Sequence, residues 1–291
     1  MEQEARETKN EVFKSPSHEG AQHQQPRPVS AAERVRADFG LDIPAETVPL
    51  PSLGKVYPQG SPLHMRETVD ITPMSTREED ILTSRALLKK GTVITELIRS
   101  CLVDKSIDPA SLVAGDRNAL MVAIRVTGYG AAYEAEIECD ECNVKAPREF
   151  NLADLPIKSL DIDPVRQGEN LFEFSLPRCK KVVKFRFLTG RDEEEILALQ
   201  EKQKKLGISS DAAVTTNLFH SIISVDGIED RQKLAGFIRV MPAMDSLALR
   251  SYVKDHEPGI LMKQEITCAS CGHEEVTQIP LGISFFWPHT G

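Results

Sequence analysis

The 291-residue sequence lacks the features by which several protein classes are recognised. No apolar run approaches the roughly 18 to 20 residues that span a bilayer, and the opening segment has no apolar core of the kind found in signal peptides. Positive charge is also scarce, because 35 Lys and Arg face 44 Asp and Glu, a net charge of -9. Since nucleic acids and anionic lipids are bound chiefly through Lys and Arg, we expect a protein partner instead, with no nucleic acid and no membrane.

Catalytic motifs are missing as well. No GxxxxGK[ST] loop, GxGxxG turn, HExxH helix or GxSxG elbow occurs, and the seven histidines show no ligand spacing. The acidic runs at 78–80 and 193–195 are most simply explained as first turns of helices, where negative charge is favourable. We therefore expect no enzymatic activity, no catalytic residues and no small-molecule substrate.

Composition divides the chain into two regions. Residues 1–45 are rich in Gln, Glu, Pro and Ser and have few apolar anchors, so they predict a flexible N-terminal arm that serves either as a spacer or in partner binding. The whole chain is 41% hydrophobic and 27% charged, which is the balance of a globular protein. Residues 46–291 are therefore expected to form the folded domain.

The hydrophobic pattern of this domain predicts an α+β fold. The first part, 72–130, is mainly helical: Ser75 and Glu78 form a capping-box pattern for a helix to about Lys89, and two more helices follow at about 92–102 and 116–130. The second part, 131–291, alternates apolar and polar residues in hairpins and strands, including strands at 171–176 and 182–188. It also contains helical patterns near 191–205, 211–223, 230–240 and 244–256.

Four of the six cysteines form two CxxC pairs, each flanked by strand patterns. A pair with two intervening residues can offer two thiolates to one metal from a tight turn. Asn143 and Gly272 follow the two pairs, and these residue types tolerate the left-handed conformation often found there. In a reducing cytoplasm such cysteines are expected to bind metal rather than form disulfides. We predict one structural Zn²⁺ per chain in a closed, zinc-ribbon-like site formed by Cys139, Cys142, Cys268 and Cys271.

Other interpretations of the cysteines and aromatics remain open. The CxxC pairs are also compatible with redox use or with chance. A redox pair normally lies at a helix N-terminus, however, and the pattern at 145–150 predicts a turn and a strand. Cys101 and Cys179 are predicted to be free thiols, and His273 to lie beside the metal site without binding it. The aromatic run 285–287, which contains the only Trp, either folds back onto the core or anchors an interface.

Several segments together resemble one known family. They are LPSLGKVYP at 50–58, the helix start MSTREEDIL at 74–82, Gly115-Asp116-Arg117 with Ile124-Arg125 and Tyr129-Gly130, the two CxxC pairs at 139–142 and 268–271, and the ending Phe285-Phe286-Trp287-Pro288. In this order they resemble the baseplate family of contractile-tailed bacteriophages, typified by a baseplate hub protein of T-even phages. The resemblance covers roughly residues 50–288, and the N-terminal arm departs from it.

The resemblance implies a virion tail protein or tail-assembly factor without catalytic role, made in the cytoplasm of an infected bacterium. Its implied partners are other tail or baseplate subunits. The alternative is a zinc-ribbon regulator that binds nucleic acid. Such a ribbon carries Lys, Arg and aromatics at its tips, whereas these tips are acidic. The acidic residues are Glu134, Glu136, Glu138, Asp140, Glu141, Glu274 and Glu275.

Overall fold

The computed structural model of the chain describes residues 35, 38–41, 44–205 and 213–287. The chain divides into two units, Met1–Asp42 and Ile43–Gly291. In the first unit, the described side chains of Val35, Phe39 and Leu41 are exposed. Most of the predicted arm lies outside the described residues, so its flexibility and its boundary at residue 45 stay predictions.

The second unit opens with an antiparallel strand pair followed by helices. Strand β1 (Glu46–Pro49) pairs with β2 (Thr68–Ile71), with Val48 opposite Val69. Four helices follow, which agrees with the expected helical first part: α1 (Thr76–Thr83), α2 (Arg85–Lys90), α3 (Val93–Cys101) and α4 (Ala114–Tyr129). Short 3₁₀ turns lie at Pro109–Ser111, Leu152–Asp154 and Ile283–Phe286.

The predicted single helix from Ser75 to about Lys89 is wrong in its continuity, although its start is confirmed. The Glu78 carboxylate accepts a hydrogen bond from Ser75 N–H at 2.8 Å, as in a capping box, and a further one from Ser75 Oγ at 2.6 Å. At Ser84 the backbone is extended, with φ -65° and ψ 106°. This residue ends α1, because its N–H donates to Ile81, and begins α2, because its carbonyl accepts from Leu88.

Two hairpins lie where the sequence predicted strands on either side of each CxxC pair. The first joins β3 (Ala132–Glu138) to β4 (Lys145–Asn151), and the second joins β10 (Lys263–Thr267) to β11 (Glu274–Gln278). Each is a separate two-stranded sheet. Between them in sequence, β5 (Ile157–Lys158) pairs with β9 (Gly259–Ile260).

A three-stranded antiparallel sheet contains β6 (Phe172–Ser175), β7 (Val182–Phe185) and β8 (Ile222–Val225), in that spatial order. The remaining helices are α5 (Gly190–Lys205), α6 (Ala213–Ser221), α7 (Arg231–Val240) and α8 (Ala243–His256). Strand β8 was not predicted from the sequence, because the helix predicted at 211–223 extends over its first residues, Ile222 and Ile223. A short apolar run fits either element, and only pairing with β7 decides between them. Residues 211 and 212 of that predicted helix lie outside the described residues.

One hydrophobic core extends from β1 to the C-terminal aromatics, and α4 runs through it. The carboxylate of Asp116 on this helix is completely buried and accepts hydrogen bonds from Ser52 N–H (2.9 Å), Ser52 Oγ (2.5 Å) and Tyr57 Oη (2.6 Å). No Lys or Arg in the described ranges forms an ion pair with it. Burial raises the pKa of Asp116. These hydrogen bonds fasten the 50–58 loop to α4 without an ion pair, and Leu50 and Val56 of the loop add apolar packing in the shared core.

Among the described residues, no helix has both the length and the apolar character needed to cross a bilayer.

Replacing Asp116 with Ala should lower the free energy of unfolding by about 3 kcal/mol, because the buried donors of Ser52 and Tyr57 lose their acceptor. Urea unfolding of the purified protein measures the change. Asp163→Ala is the control, since this side chain is 94% exposed and meets Lys55 only at 4.0 Å; it should change stability by no more than about 0.5 kcal/mol. Equal effects of the two substitutions would contradict the role given to Asp116.

Candidate metal centre

The four cysteines predicted from sequence lie together at the tips of the two hairpins. Cys139 and Cys142 occupy the turn between β3 and β4, and Cys268 and Cys271 occupy the turn between β10 and β11. Neither pair lies at a helix N-terminus. Cys139 and Cys268 are buried, Cys142 is half-buried and Cys271 is exposed.

The two turns have the same backbone structure. In each, the first cysteine donates its N–H to the residue five positions on: Cys139 to Val144 O at 3.1 Å, and Cys268 to His273 O at 2.7 Å. The residue four positions on donates back to the first cysteine, at 2.8 Å in the first turn and 2.9 Å in the second. That residue is Asn143 or Gly272, with φ of 54° and 75°. The left-handed conformation expected at these positions is therefore present, and it suits Asn and Gly best.

The sulfur positions fit a tetrahedral metal. All four Sγ atoms lie within 4.8 Å of one another. Cys139 Sγ and Cys271 Sγ are 3.8 Å apart, and Cys142 Sγ and Cys268 Sγ are 3.7 Å apart. Four thiolates placed about 2.3 Å from a zinc ion at the corners of a tetrahedron would lie about 3.8 Å from each other. The donor set and its spacing thus suit one zinc ion bound by both hairpins.

The local electrostatics favour thiolate at one of these positions. Backbone N–H groups of Cys271 and Ser270 point toward the sulfur of Cys268 and lower the pKa of this thiol to about 6. The hairpins also meet through a hydrogen bond from Asp140 N–H to the Glu275 carboxylate at 3.0 Å. This contact joins the tips beside the cysteines.

A second contact joins the base of the first hairpin to the C-terminal segment. The Arg125 guanidinium on α4, which is 1% exposed, donates to the carbonyls of Gly130 (2.7 Å), Ala132 (3.1 Å) and Phe285 (3.1 Å). The rings of Tyr133 and Phe285 pack with centroids 5.1 Å apart. Arg125 therefore ties the segment before β3 to the C-terminal residues without using the cysteines.

The structure also shows where the two other cysteines, His273 and the C-terminal aromatic run lie. Cys101 is buried and Cys179 half-buried, both as free thiols, and His273 contributes a backbone carbonyl to the turn. Phe285 and Phe286 are fully buried, so this part of the aromatic run folds back onto the core. Pro288 lies outside the described residues.

The sequence did not predict the contacts of the acidic run at 193–195 or the role of Arg125 on α4. Glu193 meets buried Arg117 at 3.2 Å, and Glu194 accepts a hydrogen bond from Thr95, so the run at 193–195 contacts other elements as well as starting α5. The structural role of Arg125 was missed too. Its position between Ile124 and Val126 on an apolar helix was the available signal.

Fold and site together define a mixed helix-and-sheet protein with one tetracysteine cluster suited to a metal. Residues 45–287 match a protein family described as T4 bacteriophage base plate protein, so the chain belongs to that family and is a phage baseplate protein. A baseplate protein is located in the virion tail. No curated protein and no solved structure matches the chain.

Replacing Arg125 with Lys should cost about 3 kcal/mol of stability, because one ammonium cannot reproduce the fork that reaches three carbonyls. Hydrogen exchange should speed up at 130–133 and 285–287, while zinc content stays unchanged. Arg250→Lys on the exposed face of α8 is the matched control and should alter neither quantity. Unchanged exchange in the Arg125 variant would contradict this role.

Proposed function

We propose that this baseplate protein is a non-enzymatic structural component or assembly factor of the tail, holding neighbouring subunits through protein–protein contacts. A structural zinc, bound by Cys139, Cys142, Cys268 and Cys271, clamps the two hairpins together at their tips. The observation that carries the proposal is the convergence of four sulfurs in a chain of the baseplate family: Cys139 meets Cys271 across 132 residues of sequence, and Cys142 meets Cys268 across 126. Assembly then takes place in the cytoplasm of the infected bacterium.

The chemistry of the site supports a structural role. Four thiolates fill the tetrahedral shell of zinc, so no position is left for water or substrate, and a bound zinc stabilises geometry. Closing a segment of this length also restricts the unfolded chain. In this chain the cysteine turns supply the ligands, and Arg125 holds the base of the first hairpin at a distance from them.

The charge around the tips argues against the nucleic-acid alternative. Nine acidic residues lie on these hairpins; eight of them are exposed and Glu275 is half-buried. Glu134 and Glu149 face each other directly across β3 and β4, a pairing that is unfavourable within the hairpin. A phosphate backbone would meet this surface with repulsion, so we propose no nucleic-acid partner.

Protein prepared without chelator should contain close to one zinc per chain, measured by mass spectrometry of the metal. Cys268→Ser should lose it, because the remaining three thiolates bind far more weakly and acquire an open position. Cys179→Ser is the matched control, since this half-buried thiol lies outside the cluster, and it should keep the metal. A wild-type protein free of zinc would falsify the site.

A phage carrying Cys271→Ser should assemble tails poorly even though the purified variant stays folded. Loss of one ligand should free the hairpin tips, while Arg125 still holds the base of the first hairpin. Infectious yield and circular dichroism of the purified variant are the two measurements. Wild-type yield from the Cys271→Ser phage would show that the clamp is dispensable for assembly.

A further inference from the structure

Two adjoining cavities form an open trough on the side of the 50–58 loop. Their volumes are about 430 and 480 Å³, and they share Ser111, Arg186 and Thr189. We call this continuous depression the trough. Its size suits a short stretch of polypeptide better than a single side chain.

The two halves of the trough differ in chemistry. The half nearer the 50–58 loop has a mainly apolar surface, formed by Val56, Tyr57, Pro58 and Val113, with the polar side chains of Ser61, Glu169 and Asn170 in the same lining. The other half contains three guanidinium groups, those of Arg186, Arg191 and Arg231. A ligand that fills both halves therefore needs an apolar part and a negatively charged part.

Arg231 is held in place before any ligand arrives. Its guanidinium lies 3.9 Å from the centre of the Phe219 ring and donates to the carbonyls of Phe219 (2.6 Å) and Ile222 (3.0 Å). In the part of the chain that the structure describes, it has no carboxylate partner. Arg191 is 65% exposed, and its carboxylate contact is with Asp108 at 3.3 Å. An exposed pair of this kind contributes little and can be exchanged for another carboxylate.

The carboxylates of the trough do not make it a cation site. Ligand atoms of Asp192, Glu195 and His220 lie within 4.8 Å of one another. However, Asp192 already accepts hydrogen bonds from both terminal nitrogens of Arg186 and from the N–H and Oγ of Thr189. Burial alone would raise the pKa of Asp192, but these bonds hold it below its usual value. A divalent ion would have to displace Arg186 or bind beside its positive charge.

We propose that the trough receives an extended, acidic segment of a neighbouring tail subunit, with a carboxylate at Arg191 and Arg231 and an apolar side chain in the half next to Pro58. The charge at the arginine end supports this partner: Arg186 and Asp192 neutralise each other, which leaves Arg191 and Arg231 facing one lining carboxylate, Glu195. The carboxylate of the other half, Glu169, is paired with Arg166 at 3.6 Å. The proposal rests on the proposed function in tail assembly. It adds the surface used and the chemistry of the partner.

Complementation of a phage that lacks this gene tests the surface. Arg191→Glu should lower infectious yield by about tenfold or more through repulsion of the incoming carboxylate, whereas Arg191→Lys should stay near wild type. Glu is favourable in the first turn of α5 but replaces the exposed contact with Asp108 by a repulsion, so the melting temperature should change by only a few degrees. Arg250→Glu, on α8 outside the trough lining, is the charge-matched control. Wild-type yield from Arg191→Glu, or an equal loss from Arg250→Glu, overturns the proposal.

The same complementation experiments distinguish failure of the proposed function from failure of the trough proposal. If a phage without the gene assembles normal tails, the proposed function falls. If the wild-type gene restores yield and Arg191→Glu restores it equally, only the trough proposal falls.

Cross-linking of the Arg191→Lys protein tests the chemistry of the partner. A carbodiimide joins the amine introduced by this substitution to a touching carboxylate as an amide, with loss of water. In tail assemblies that contain the chain, mass spectrometry should find this link to an Asp, a Glu or a C-terminus of a different tail protein. Links confined to Asp108 of the same chain, or links to a second copy of this chain, would overturn the choice of partner.

Discussion

Three buried ionisable side chains on α4 hold together parts of this protein that are distant in sequence. Asp116 accepts hydrogen bonds from the 50–58 loop, Arg117 meets Glu193 at the start of α5, and Arg125 binds carbonyls before β3 and near the C-terminus. A buried charge without partners is very costly, so each of these groups fixes the segment that satisfies it. Gly190 shows how close this packing is, because an added Cβ there would lie 2.3 Å from Arg117 Nη1.

The first hairpin is held by this framework at one end and meets the second hairpin at the other. Arg125 and the Tyr133–Phe285 ring contact hold its base, and the four sulfurs lie together at the tips of both hairpins. The strands between carry exposed acidic residues and pair only within each hairpin. Such narrow sheets have little stability alone, so the first hairpin depends on the contacts at its two ends.

The cysteine cluster and the trough are built differently: the first comes from two short CxxC motifs, and the second from several segments that are distant in sequence. The cysteine cluster lies within the matched region and concerns the geometry of the hairpins. The trough is formed by the 50–58 loop, the start of α5 and the segment joining α6, β8 and α7, so it brings together residues that no short motif contains.

The sequence by itself determined the mixed fold, the positions of both hairpins and the four cysteines that meet, because periodicity and CxxC spacing are local patterns. It also carried the family, through segments whose order matches a baseplate protein. It did not determine the break at Ser84 or the strand at Ile222–Val225, since a short apolar run suits helix or strand until a neighbour pairs with it. The roles of Asp116 and Arg125, the burial of Phe285 and the convergence of three arginines were likewise decided by tertiary structure. Each depends on contacts between residues far apart in the chain, and local propensity contains no information about which distant group will satisfy a buried charge.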